Sequence, residues 1–157
     1  MNAIGKPERV TQERVIALFR DELGYRYLGE WSDRAANSNL DEVLFSAHLT
    51  KAGYSAPQIS RALYLLRTAA DHPHRTLYEN NQEVYGLLRY GVQLKTEADK
   101  VTETVKVIDW AHPENNDFAL AEEVTLRGHH ERRPDLVLYV NGIAVGVIEL
   151  KSSHVSV

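Results

Sequence analysis

The chain reads as an α+β fold, with N-terminal helices packed on a mainly antiparallel or mixed sheet. Three observations predict it. Apolar residues recur at helical spacing through the first half, and the period changes to strand alternation after Gly91. Near the end, Val140-Asn141-Gly142-Ile143 is a strong short-range hairpin signal. Helices first and strands later is the order of an α+β plan rather than of repeated βαβ units.

The elements follow in order. Thr11 is placed to cap a helix running to about Glu22, with Val15, Leu18, Phe19 and Leu23 on one face and Gly24 as its stop. Tyr25-Arg26-Tyr27-Leu28 is a short strand. Asn37-Ser38-Asn39 offers caps for a second helix with Leu40, Val43, Leu44 and Ala47 inward, ending before Gly53. Ser55 and Gln58 make a capping box for a third, burying Ile59, Leu63, Leu66 and Ala69 until His72-Pro73 breaks it. A fourth covers part of residues 78–90, closed by Gly91. Residues 92–95 and 102–108 form a hairpin with 98–100 near its tip, and 113–117 is a loop. Residues 118–126 alternate as a strand, 128–132 are a polar turn, and 136–140 with 143–150 form the final hairpin.

Composition bounds the function. At 157 residues, 43% hydrophobic and 25% charged, the chain suits one folded domain with a real core, taken as residues 1–157. No apolar run approaches a membrane span and Met1-Asn2-Ala3-Ile4-Gly5-Lys6-Pro7 has no signal-peptide core, so no membrane partner is expected. Cysteine is absent, which excludes a disulfide framework and Cys-based zinc sites and suits a reducing cytoplasm. A net charge of −4 argues against autonomous tight binding to nucleic acid. If DNA is the substrate, a local basic patch or another protein must hold it.

The chemistry concentrates in Arg133-Pro134-Asp135 and Glu149-Leu150-Lys151, which flank the apolar hairpin. Ionised groups at strand positions otherwise filled by Val, Leu and Ile are costly unless compensated. A divalent cation shared by two carboxylates, with a lysine beside it, compensates them and suits phosphodiester cleavage. Glu149 and Lys151 are two apart and leave one face of a strand. A strict two-residue Asn-Gly turn sets Asp135 opposite Ile148, on the wrong face. A one-residue irregularity, from a longer loop or a bulge at Gly142 or Gly146, brings Asp135 opposite Glu149, and such an irregularity is therefore predicted. Asp135, Glu149 and the backbone carbonyl of Leu150 would then offer hard oxygen ligands to Mg²⁺, and Lys151 would orient water or stabilise charge growing on the phosphate. The plain alternative is an edge strand carrying lysine against aggregation.

Here the sequence resembles a family. Residues 132–142 (Arg-Arg-Pro-Asp-Leu-Val-Leu-Tyr-Val-Asn-Gly) with Val147-Ile148-Glu149-Leu150-Lys151 look like the N-terminal nuclease domain of the R subunit of type I restriction enzymes, which carries the PD-(D/E)xK fold. Val107-Ile108-Asp109-Trp110 and Pro113-Glu114-Asn115-Asn116-Asp117-Phe118 resemble the segment preceding the motif. The likeness runs from about Tyr78 onward and is weak before it. It implies a restriction-endonuclease-like sheet and a Mg²⁺-dependent endonuclease acting on double-stranded DNA. It also implies methyltransferase and specificity subunits as partners, and a following ATP-driven motor. Asp135, Glu149 and Lys151 carry over as the catalytic set, and Glu13 as a further metal-side acid. The chain ends six residues after Lys151 and has no Gly-rich phosphate loop, so ATP would act only through a motor region outside it. The expectation is an N-terminal fragment of a longer R subunit. The helix that follows the motif in relatives is absent from it, leaving an apolar side of the sheet to favour self-association.

Other residues were weighed. Helical spacing favours Glu22 over Glu13 as the inward acid, whereas the family pattern favours Glu13; either could simply solvate a helix edge. One of Glu122 and Glu123 should face solvent and one approach the metal, without the spacing saying which. Arg127, Arg132 and Arg133, with Lys95 and Lys106 on the hairpin, are the candidates for phosphate contact. His72, His74, His129 and His130 read as turn or surface residues, and Trp31 and Trp110 as packing residues. Two other functions fit the same residues: a non-catalytic scaffold binding a partner subunit, and a repair-type nuclease of the same fold.

Overall fold

The computed structural model describes residues 5–95, 102–127 and 130–151, with side chains from Glu8 onward. Helix α1 (Gly5–Ala17) runs into a π-helical turn (Leu18–Glu22) and strand β1 (Arg26–Glu30). Helices α2 (Glu42–Lys51), α3 (Ala56–Ala70) and α4 (Leu77–Tyr90) precede strands β2 (Val92–Lys95) and β3 (Thr102–Val105). A 3₁₀ turn (Pro113–Asn115) leads to β4 (Phe118–Glu122), β5 (Leu136–Val140) and β6 (Ile143–Ile148). The fold is α+β, as its periodicity predicts. No described helix is long and apolar enough to cross a membrane.

Contacts gather into two compact units, one joining the chain up to Asp41 with the chain from Asp117, the other Glu42–Asn116. In the first, a four-stranded sheet has the order β1-β4-β5-β6, with β1 parallel to β4 and the other neighbours antiparallel. Helix α1 covers one face: Ile16, Leu120 and Leu136 are buried together, with Val15, Phe19, Tyr27, Leu138 and Ile148 packed around them. Trp31 packs against Tyr139 at a ring separation of 5.5 Å, and both are buried.

Helix α1 begins earlier than Thr11, which lies in its interior. Pro7 and Glu8 in the first turn are the start signals, since Pro needs no N–H partner there and an acid complements the helix dipole. At the other end the Leu23 N–H donates to the Leu18 carbonyl at 3.0 Å, widening the last turn to a π-turn. Gly24, at φ +73°, then stops it.

In the second unit, α3 packs against α2, α4 and β2. The Ser55–Gln58 capping box forms as predicted, and Thr76–Glu79 makes an equivalent one at α4. Helix α2 turns a different face inward from the predicted one. Phe45 and Leu49 are buried, whereas Val43 and Ala47 are exposed. Val43, Leu44 and Phe45 are consecutive, so spacing alone could not choose among faces; the larger ring of Phe45 occupies the interior. Gly91 closes α4 at φ +86°, where a Cβ would lie 2.7 Å from Thr104 and 2.9 Å from the Val105 carbonyl oxygen. The tip of the β2–β3 hairpin falls outside the described residues.

Candidate functional site

The β5–β6 hairpin turns through Asn141 (φ +53°) and Gly142 (φ +79°), which both need positive φ in a two-residue turn. Val140 pairs with Ile143 and Tyr139 with Ala144, but Leu138 pairs with Gly146. Val145 is therefore the extra residue of a bulge beside Gly146, the irregularity the sequence requires. Beyond it Val137 pairs with Val147 and Leu136 with Ile148. The paired register ends at Leu136–Ile148; extended one step, it would face Asp135 with Glu149.

Asp135 is held twice. Its carbonyl accepts the Glu123 N–H at 2.9 Å, and its carboxylate accepts the Leu150 N–H at 2.5 Å. Glu123 makes the first bond from a left-handed conformation (φ +51°), which ends β4 and turns the chain at the level of Asp135. Asp135 is half-buried, whereas Glu149 and Lys151 are exposed. Neither Glu149 nor Lys151 has a hydrogen-bond or ion-pair partner among the described residues. The burial cost inferred from their apolar neighbours does not apply to them. Beyond its first residues β6 is an outer strand, and Val145 and Val147 are exposed as well, at 51% and 59%.

The buried charge lies elsewhere. Glu122 is 3% exposed and sits opposite Leu136 on the face that α1 covers. It accepts hydrogen bonds from Arg9 Nη1 at 2.7 Å, Gln12 Nε2 at 2.8 Å and the Tyr27 hydroxyl. Burial alone would raise its pKa, but the Tyr27, Arg9 and Gln12 bonds outweigh burial and hold it below the ordinary carboxylate value. Burial, then the bond to Glu122, pushes the Tyr27 hydroxyl up to about 12. The alternation Phe118-Leu120-Glu122 carried the signal for this buried acid. One of its partners, Arg9, was hidden because α1 starts before Thr11.

Beside this network a cleft of about 270 Å³ is lined by Glu8, Arg9, Gln12, Glu123, Arg133 and Asp135. Glu13 is not among them. It pairs with Arg9 at 3.0 Å on the exposed side of the helix. Glu22 lines a different cleft with Thr11 and Arg14. Positions 8 and 12, one turn apart, are the ones α1 presents to Asp135. Arg133 bonds Glu123 at 3.1 Å, and Arg127 and Arg132 are exposed. Lys95 and Lys106 belong to the other unit. His72 and His74 lie in the turn between α3 and α4, and His130 is exposed. His129 is outside the described residues.

The donor set suits one kind of cation. Among the described residues Asp135 and Glu149 are hard oxygen donors without cationic partners, and no group of three or more His, Asp or Glu there is suited to a metal. Two carboxylates and a backbone carbonyl fit Mg²⁺, which keeps several waters, better than an ion needing a full protein cage.

The family model described as type I restriction enzyme R protein N terminus matches residues 6–157. The chain belongs to that family. Among its relatives, the type I restriction enzyme HindI endonuclease subunit of Haemophilus influenzae is 28% identical over 155 residues, which are 92% of this chain and 14% of that protein. The "Putative type I restriction enzyme MjaIXP endonuclease subunit" of Methanocaldococcus jannaschii is 32% identical over 101 residues, 60% of this chain and 10% of that protein. The chain thus spans 14% or less of these curated relatives. No solved structure matches it.

Proposed function

We propose that this region is a Mg²⁺-dependent endonuclease domain that cleaves double-stranded DNA within a type I restriction system, working in the cytoplasm. ATP-driven translocation would come from a motor region outside this chain, and methyltransferase and specificity subunits would be its partners. The observation that supports the reading is the bulge at Val145, whose register, extended past Leu136–Ile148, would face Asp135 with Glu149 and put Lys151 two residues on. Asp135, Glu149 and the Leu150 carbonyl would hold the cation. Bound there, magnesium would supply positive charge to offset that on the phosphate oxygens. Lys151, without a partner among the described residues, would hold the attacking water or the charge that grows on the phosphate. The Leu150 N–H keeps the Asp135 carboxylate directed at β6 rather than at Arg133.

Calorimetric titration with Mn²⁺ should show a site that Asp135→Ala removes. In a full-length R subunit carrying this region, Asp135→Ala or Lys151→Ala should lower metal-dependent duplex cleavage by at least about 10²-fold and leave ATP hydrolysis unchanged. Mn²⁺ binding that survives Asp135→Ala would overturn the assignment.

A further inference from the structure

The net charge of −4 leaves open what holds a polyanionic substrate, and the second unit contains an answer. A cleft of about 600 Å³ is lined by Lys51, Tyr54 and Lys106 with Asp109 and Glu114. An adjoining cleft of about 180 Å³ shares Lys106 and Asp109 and extends to Arg89 and Trp110. Lys51, Lys106 and Arg89 have no acidic partner among the described residues. The Tyr54 hydroxyl oxygen accepts the Lys106 N–H at 2.9 Å, which leaves its own proton without an acceptor among the described residues. Arg89 lies 5.3 Å from the ring of Trp110, which is 51% exposed although its indole N–H is satisfied by the Leu88 carbonyl.

Of the two acids of this groove, Asp109 is already hydrogen-bonded. Asp109 accepts bonds from the Asn115 side chain and the His112 N–H, both at 2.9 Å, and these hold it below the ordinary carboxylate value. Glu114 lies 3.5 Å from His112, a contact that pairs opposite charges only when the imidazole is protonated. Three cations and a hydroxyl donor thus stand against two carboxylates along two contiguous clefts, which leaves one net positive charge. A single carboxylate or phosphate would fill only a fraction of that space, whereas a duplex offers a charge about every 1.7 Å along its axis.

We propose that the Lys51–Tyr54–Lys106–Arg89 groove binds the phosphate backbone of double-stranded DNA, as a second contact separate from the acids of the β5–β6 hairpin. The choice of DNA as occupant rests on the function proposed above; the anion preference of the groove does not. Contacts of this kind position a duplex without reading its sequence, so no base preference is expected from it.

The test is fluorescence anisotropy of a labelled 20-base-pair duplex with this chain, over a series of salt concentrations. Wild-type protein should bind at low salt. Lys51→Ala/Lys106→Ala should weaken binding at least about 10-fold and lower the slope of log affinity against log salt by about 2. Arg20→Ala, at an arginine paired with Asp21 and not lining the groove, should change neither, and circular dichroism should show the variants folded. An unchanged slope in the double variant, or no duplex binding by wild type at low salt, overturns the proposal. Binding of poly-glutamate in place of the duplex overturns it too, and assigns the groove to an acidic protein surface. Loss of Mn²⁺ binding on Asp135→Ala is read separately. Duplex binding through the groove without a metal site would sink the nuclease reading and leave this one standing.

Discussion

Glu122 and Glu149 lie in the same four-stranded sheet and have opposite fates. Glu122 is buried and surrounded by three donors, whereas Glu149 is exposed and has no partner among the described residues. Each departs from the apolar pattern of its strand, so the pattern alone marks both as anomalous. The difference lies in compensation. A buried carboxylate that accepts charge-assisted bonds from Arg9 and others is a structural part. A carboxylate without partners among the described residues is available to a ligand.

The largest expected effect tests the structural half of that contrast. Glu122→Ala removes an acceptor from Tyr27, from Arg9, which keeps Glu13, and from Gln12, which is 4% exposed and keeps only a longer bond to Glu123 at 3.3 Å. It should destabilise the fold by about 2–3 kcal/mol in urea unfolding. Arg9 can turn to water, being half-exposed, which keeps the value at the low end for a broken buried pair. A loss below about 0.5 kcal/mol would mean the network is incidental.

Acid should act through the same residue. Because the folded state holds Glu122 below its ordinary pKa, it contributes stability above the ordinary carboxylate range. That contribution is lost as pH falls through the folded value. Glu122→Gln should therefore be less stable than wild type at pH 7, and the gap should narrow as the wild type is acidified. A gap that is constant with pH would place the acid sensitivity elsewhere.

How far the sequence could be read differs between these two sites. The hairpin was legible because Asn141-Gly142 sets one register and the carboxylates require another, so a bulge had to intervene, and Val145 supplies it. That reasoning used only the two-residue period of a strand. The network around Glu122 was not legible in the same way. Its donors come from positions 9, 12 and 27, which no local spacing connects, and reading the helix from Thr11 excluded Arg9. The inward face of α2 was missed for a related reason. Val43-Leu44-Phe45 offers three adjacent apolar residues, and tertiary packing rather than periodicity selected Phe45. The separation of Lys51 and Lys106 in the chain likewise hid the groove they share.

The smallest effects bear most directly on function. Asp135→Asn keeps an acceptor for the Leu150 N–H and should cost no more than about 1 kcal/mol. Glu149→Gln breaks no contact among the described residues and should change stability by less than about 0.5 kcal/mol, as ordinary surface substitutions do. Mn²⁺ binding should nevertheless fall at least about 10-fold in both, because each loses an anionic oxygen donor that a neutral amide replaces poorly. If the carboxylates repel each other without a cation, Glu149→Gln should even raise the melting temperature slightly in chelator, and excess Mn²⁺ should stabilise wild type selectively. A variant that melts like wild type under both conditions would show that the two carboxylates do not share an ion, and that the bulge serves only the hairpin.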